Sequence, residues 1–272
     1  MIGKCALCGC EAEMTFEHIP PRSCFNSAPA KSVTGNEIIA SLSNHHRNPW
    51  DVKGLPYGNQ QRGMGCSVLC AKCNSSTGKW YGESYASLVH SVHKVIRENE
   101  IHVPSMLDFF IKGVYPLRIV KQILSMTCSI NYPYYEDDRF RKLADFVLEK
   151  NASGIDKESF RIYLYIAYNH QIKYWPLTVL IKKIPGNDEY IPDTVSEIFA
   201  YPLGFVVCFN PNPQIGHPGI DITSFCDFKY GQMCNLDFSV PVLESNSVSP
   251  CDYRSKKEII VRMIAEKSGD AE

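Results

Sequence analysis

A chain of 272 residues with 44% hydrophobic side chains is long enough for one large domain or two ordinary ones, and its apolar content excludes a disordered polymer. No apolar run approaches the roughly 20 residues that span a bilayer, and the opening MIGKCALCGC lacks the apolar core of a secretory signal, so a cytoplasmic location without membrane contact is the expectation. The net charge of −1 names no partner, but residues 1–97 hold 10 Lys and Arg against 6 Asp and Glu while the remainder is acidic, a mild bias toward a polyanion at the front of the chain.

In chain order, Cys5-Ala-Leu-Cys8-Gly-Cys10 reads as a tight knuckle, and Met14–Ile19 as a short strand that Pro20-Pro21 ends by removing two backbone donors. Residues 22–62, rich in Ser, Asn, Pro and Gly, read as a long insertion or loop; they carry His45-His46-Arg47, whose histidines face solvent or enter a site. Gly63–Cys70 reads as a second short strand leading into a second knuckle. From Trp80 to Asn99, apolar residues at three- and four-residue steps predict an amphipathic helix, expected to pack on the strand that bears His18. His90 and His93 lie one turn apart on it, placed either to share a metal or to serve as ordinary surface and core histidines.

Beyond Pro104, Ser105–Ile111, Leu117–Ser129 and Asp137–Lys150 read as helices. After Asn151-Ala-Ser-Gly the period changes to two: Phe160–Tyr168 and Tyr174–Ile184 read as strands of a hairpin across Asn169-His170-Gln171. Shorter strands are expected at Gly204–Phe209, Ile222–Phe228 and Leu236–Val242, with a closing helix at Tyr253–Glu266. The fold class is therefore α+β, helices then antiparallel strands. The division expected is a module over residues 1–99 with the insertion at 22–62, then an α+β domain over 100–272 that shows no motif.

Twelve cysteines are many for a reducing compartment, where disulfides are rare. Cys128, Cys208, Cys226, Cys234 and Cys251 stand singly and read as small core hydrophobes. Cys5-x-x-Cys8 and Cys70-x-x-Cys73 are paired thiols, and two such turns close a tetrahedral zinc site. The alternative is two unrelated pairs, one of them redox-active, but the βαβ context of a redox pair is missing. Cys10, Cys24 and Cys66 are spare, and Cys10 is the natural substitute ligand.

Between the knuckles lies Thr15-Phe-Glu17-His18-Ile19-Pro20-Pro21, and directly after the last knuckle cysteine comes Asn74. This order resembles the zinc-containing HNH (ββα-metal) endonucleases, including the phage junction-resolving enzymes with Asn after the final cysteine. It is also similar to uncharacterised bacterial HNH proteins with TFEHIPP followed by LCxxCNxxTGxWYG, some found near antiphage genes. The resemblance covers about residues 4–85. It implies a zinc-stapled ββα module that hydrolyses DNA phosphodiester bonds, with antiphage defence as a setting. By the same resemblance, His18 is the base, and Glu17 and Asn74 are ligands of a catalytic Mg²⁺ or Mn²⁺. Cys5, Cys8, Cys70 and Cys73 hold structural Zn²⁺.

The sequence departs from the family in two respects. Glu17 stands where Asp is more usual, and the long insertion replaces the segment that normally precedes the second knuckle. Adjacent strand residues also point to opposite faces, so Glu17 and His18 share a site only across a twist or bulge. Two other readings follow from the same residues: a non-catalytic zinc module that binds nucleic acid or protein, and an RNA-directed toxin with the same site. Residues 100–272 are left to sense a trigger, bind a protein partner or activator, or read the substrate.

Overall fold

The structure, a computed structural model, describes residues 1–44, 52–183 and 190–244. It begins with a three-stranded antiparallel sheet in the order β1 (Ile2–Lys4), β2 (Glu11–His18), β5 (Gly65–Cys70). The expected insertion lies between β2 and β5 and is not all loop. It carries a two-stranded ribbon of β3 (Ala30–Ser32) and β4 (Gly58–Gln60), and helix α1 (Gly35–Asn44). Thr34 and Glu37 form a capping box that starts α1: Glu37 N donates to Thr34 Oγ1 at 3.3 Å and Thr34 N to Glu37 Oε2 at 3.0 Å. His45, His46 and Arg47 lie outside the described residues.

The helix expected at Trp80 begins nine residues earlier. It runs as α2 (Ala71–Thr77), a π-turn at Gly78–Gly82 and α3 (Glu83–Glu98), with helical backbone angles through both junctions. Two glycines and two serines hide the first turns from a propensity reading. The Cys70 thiol supplies the start by accepting from Cys73 N at 3.5 Å. It is α2 that lies on β2, whereas α3 packs on the body of the protein, against β6 and α4.

That body is a large mixed sheet in the order β6 (Ser105–Val114), β12 (Cys234–Leu243), β7 (Phe160–Ala167), β10 (Leu203–Phe209), β9 (Tyr190–Ala200), β8 (Lys173–Lys183). A two-residue strand β11 (Ile220–Asp221) pairs with β7. All pairs are antiparallel except β12 with β7. Helices α4 (Pro116–Ile130) and α5 (Asp138–Leu148) stand where Leu117–Ser129 and Asp137–Lys150 were expected.

Three expectations are corrected. Ser105–Ile111 is strand, not helix: Leu107, Phe109 and Ile111 are buried while Met106 and Phe110 are more than half exposed, a period of two in a run too short for composition to decide. The hairpin across Asn169–Gln171 does not form, because β7 pairs with β10 and β12 while β8 pairs with β9, a strand the sequence reading passed over. The segment Ile222–Phe228 is a 3₁₀ turn over Thr223–Asp227, where Asp221 Oδ1 accepts from Thr223 N at 2.8 Å. The expected helix Tyr253–Glu266 and Cys251 lie outside the described residues. Of the other single cysteines, Cys128, Cys208 and Cys226 are buried and Cys234 is half-buried.

The two sheets share no strand, yet one hydrophobic core runs through both. Its centre is α4, nearly every residue of which is buried, as a helix enclosed on all sides must be. Its polar residues therefore need partners inside. Buried Lys121 donates to the carbonyls of Glu149 (2.5 Å) and Lys150 (3.4 Å) past the end of α5, and burial pulls its pKa down to about 8. On the side facing the small sheet, α4 presents Gln122, Ser125 and Ser129. Among the described residues, no helix is long and apolar enough to cross a membrane.

Candidate metal centre and cleft

The first knuckle is a turn tied at both ends: Gly9 N donates to Cys5 O at 2.9 Å and Cys5 N to Cys10 O at 3.0 Å. Ala6 N donates to Val68 O at 2.9 Å, which docks that turn on β5 beside the second knuckle. The result brings Cys5, Cys8, Cys70 and Cys73 together with all four sulfurs within 4.8 Å of one another. Cys8 Sγ and Cys70 Sγ are 3.9 Å apart, close to the roughly 3.8 Å edge of a tetrahedron with 2.3 Å zinc–sulfur bonds. A donor set of four thiols at that spacing fits Zn²⁺. Cys10 is exposed and stands outside the group, its thiol toward Cys8 O.

The thiols share their protons unequally. Cys5 is held down to about 4, first by the Cys73 thiol donating to it and then by the backbone N–H groups of Cys70, Cys8 and Leu7. Burial pushes Cys8 up to about 11, and Cys73, donor to Cys5, is raised as well. A dication would displace all four protons. Among the described residues this is the single group of three or more His, Cys, Asp or Glu ligands.

His18 ends β2, half-buried, its ring edge-on to Phe16 with centroids 5.0 Å apart. Its Nε2 lies 2.8 Å from the carbonyl oxygen of Arg62. A carbonyl only accepts, so Nε2 carries the hydrogen, and in the neutral ring Nδ1 keeps the lone pair. The segment just after Arg62 is fixed by Asn26, a buried residue that gives no signal in the sequence. Asn26 Nδ2 donates to Pro20 O and Met64 O at 2.7 Å each, and Met64 N donates to Asn26 Oδ1 at 2.7 Å. Opposite His18 stands Gly65, where a Cβ would lie 2.0 Å from Glu17 O, so only glycine lets the strands approach this closely.

Asn74 reaches β2 from α2. Its Nδ2 donates to Thr15 Oγ1 at 3.0 Å and Phe16 O at 3.2 Å, which spends both amide hydrogens and leaves Oδ1 as the remaining ligand atom. His18 and Asn74 line one cleft of about 310 Å³, together with Arg22, Glu83 and Gln122.

Glu17 also borders this cleft but is 6% exposed, and its carboxyl group meets Ser129 Oγ of α4. The bulge in this sheet falls between Thr15 and Phe16, opposite Val68, and not at Glu17-His18. Burial raises the Glu17 pKa to about 8. Ser129 Oγ also lies 3.1 Å from the carbonyl of Ser125, and one hydroxyl hydrogen cannot serve both contacts. A protonated Glu17 that donates to Ser129 satisfies all three groups.

Gln122, from α4, is, like Arg22 and Glu83, a cleft residue that nothing in the sequence marks. It is 4% exposed, and its Oε1 has no hydrogen-bond partner among the described residues. Phe25 lies against both His90, which is exposed, and His93, which is half-buried. His93 Nδ1 is 3.0 Å from the Tyr201 hydroxyl, and neither histidine belongs to a metal-ligand group.

Neither a scan of protein-family models, nor a search of curated proteins, nor a search of solved structures finds a match to this chain.

Proposed function

We propose that the chain is a metal-dependent HNH-type endonuclease acting on DNA, with the cleft at His18 as its active site. The observation that carries this reading is the His18 ring: one nitrogen is fixed on the Arg62 carbonyl and the other is left as a base, at the mouth of a cleft shared with the Asn74 amide. The thiol group pins the start of α2, and with it Asn74, one residue after Cys73. In this reading His18 Nδ1 takes the proton of the attacking water, and the Arg62 carbonyl holds the ring in the required tautomer. Arg22 at the cleft edge meets phosphate charge. Asn74 Oδ1 and an ionised Glu17 would hold Mg²⁺ or Mn²⁺ with waters completing the shell, and that ion supplies stabilisation of the leaving oxygen. Antiphage defence stays a suggestion of the resemblance, as does a trigger or protein partner acting through residues 100–272.

A second reading is favoured by one observation. Glu17 is engaged with Ser129 and held neutral, which suits a zinc module that binds nucleic acid without cutting it. One experiment separates the two. Purified protein is incubated with plasmid DNA, linear DNA and RNA, with Mg²⁺ or Mn²⁺, beside His18→Ala and Asn74→Ala. The nuclease reading expects His18→Ala to lose about a hundredfold or more in rate while keeping its zinc and its melting temperature. It expects Asn74→Ala to need more Mg²⁺. Wild-type cleavage by His18→Ala refutes the assignment, and cleavage confined to RNA moves the substrate and keeps the site.

A further inference from the structure

Past the cleft, the loop that follows β2 turns outward at one residue. Cys24 and Asn26 are buried, and Asn26 is fixed by three hydrogen bonds. Between them Phe25 adopts φ +62°, a region that bulky side chains rarely enter, and remains 45% exposed. Its anchored neighbours leave it no freedom to fold inward, so the backbone holds an aromatic ring at the surface.

The ring does not stand alone. Phe25 lies 5.0 Å from His90 and 4.5 Å from His93, centroid to centroid, with Tyr201 at 6.3 Å. His170 packs against Tyr201 at 4.6 Å. These five rings come from four separate stretches: the loop after β2, helix α3, the β7–β8 connection and the β9–β10 turn. Exposed Arg97 follows two turns after His90 on the same face of α3. Burial is the main cause that lowers the His93 pKa, and the nearby Arg97, His90 and His170 lower it further.

The patch continues the cleft in two ways. Arg22 and Ser23 line the cleft, and Phe25 follows in the same loop. Glu83 lines it from the helix, and His90 lies seven residues on, about 10 Å along the axis and on the same face. Rings that stack on bases, mixed with imidazole and guanidinium groups that meet phosphates, form the chemistry that holds a strand with unpaired bases. A duplex keeps its base faces stacked inside and offers such rings nothing to stack on.

We infer that Phe25, His90, His93, His170 and Tyr201 form a stacking platform for unpaired nucleotides of a strand that runs from the His18 cleft along α3. The inference rests on the nuclease reading of that cleft and narrows its substrate to nucleic acid with a single-stranded stretch beside the cut.

The test measures binding, apart from cleavage. Fluorescence anisotropy of a labelled 12-nucleotide oligothymidine and of a blunt duplex of equal length is followed with the zinc-loaded full chain, without Mg²⁺. The single strand is expected to bind more tightly than the duplex. Phe25→Leu, which keeps apolar bulk but loses the aromatic face, is expected to weaken single-strand binding about fivefold or more, with little change for the duplex. His90→Ala, at an exposed helix position where folding is not at stake, is expected to weaken it severalfold. Equal binding of both DNAs by the wild type, or single-strand binding that both variants leave unchanged, overturns the platform. The nuclease reading fails separately: His18→Ala that cleaves like wild type removes that reading, whatever the anisotropy shows.

Discussion

The thiol group and the His18 cleft are built on the same two strands and the same helix start, yet they are held by different means. The four sulfurs come from two short turns, the first closed by its own backbone hydrogen bonds and the second by the Cys73 N–H on the Cys70 thiol, docked side by side through Ala6 and Val68. The cleft borrows from everywhere: Arg62 supplies a carbonyl, Asn26 fixes that carbonyl's neighbours, and Ser129 and Gln122 arrive from α4. The Tyr174 hydroxyl of β8 donates to the carbonyl of Ile19, beside His18. A site made of local turns stands or falls with its metal, whereas one assembled from distant segments can be altered one partner at a time.

The largest effect expected from this contrast is the loss of zinc. Elemental analysis should find about one zinc per chain, and Cys70→Ser or a strong chelator should unfold the small sheet, because binding energy at a structural zinc site is folding energy. Protein free of zinc that melts like the wild type would erase the distinction between the two regions.

Glu17 gives a smaller and pH-dependent effect. Its pKa rises from 4.5 to about 8 on folding, so the folded chain binds the extra proton between those values and stability falls as pH rises through that window. Glu17→Gln, neutral at every pH, should match the wild type near pH 4.5 and exceed it by a few kcal/mol above pH 8 in urea unfolding without divalent ions. A constant difference between the two proteins across that range would mean that Glu17 is ionised in the fold.

The smallest expected effect is at Gln122. Gln122→Met removes a buried acceptor without a partner, so stability should hold or rise by about 1 kcal/mol. The nuclease reading proposed above expects cleavage to fall all the same, because the cleft loses its polar wall. A variant that is destabilised and fully active would assign Gln122 to the core instead.

What could be read in advance follows the same division. The two Cys-x-x-Cys turns, Asn74 beside the second, and the His18 strand between them were legible because each is a short spacing whose chemistry is local. Helix α4 and the Phe160 strand were legible through periodicity. The Thr34–Glu37 capping box was present in the sequence and passed over inside a stretch read as loop. Strand β6 was not legible, since it owes its state to pairing with β12 far along the chain and composition alone left Ser105–Ile111 ambiguous; β9 pairs with β8 and β10, its neighbours in sequence, but its run carries Pro192, Asp193 and Glu197, residue types depleted in strands. For Glu17 the alternation rule gave the right warning: its neighbour turns to Arg62 while it turns to Ser129. Nothing in the sequence places Asn26, Arg62 and Gln122 near His18, because their roles arise only when separate segments meet.

The π-turn at Gly78–Gly82 fixes the phase of the long helix. Such a turn accommodates one residue more than a regular helical path would use. A regular helix advances about 100° per residue, so winding these same residues as a regular α-helix, with none removed, would swing everything beyond by roughly that angle. Asn74 would keep its place on β2 while Glu83, His90 and Arg97 rotated away from the side they now share with it. The two halves of the helix are therefore kept in phase by the wide turn, which takes up one surplus residue that regular winding would turn into a rotation.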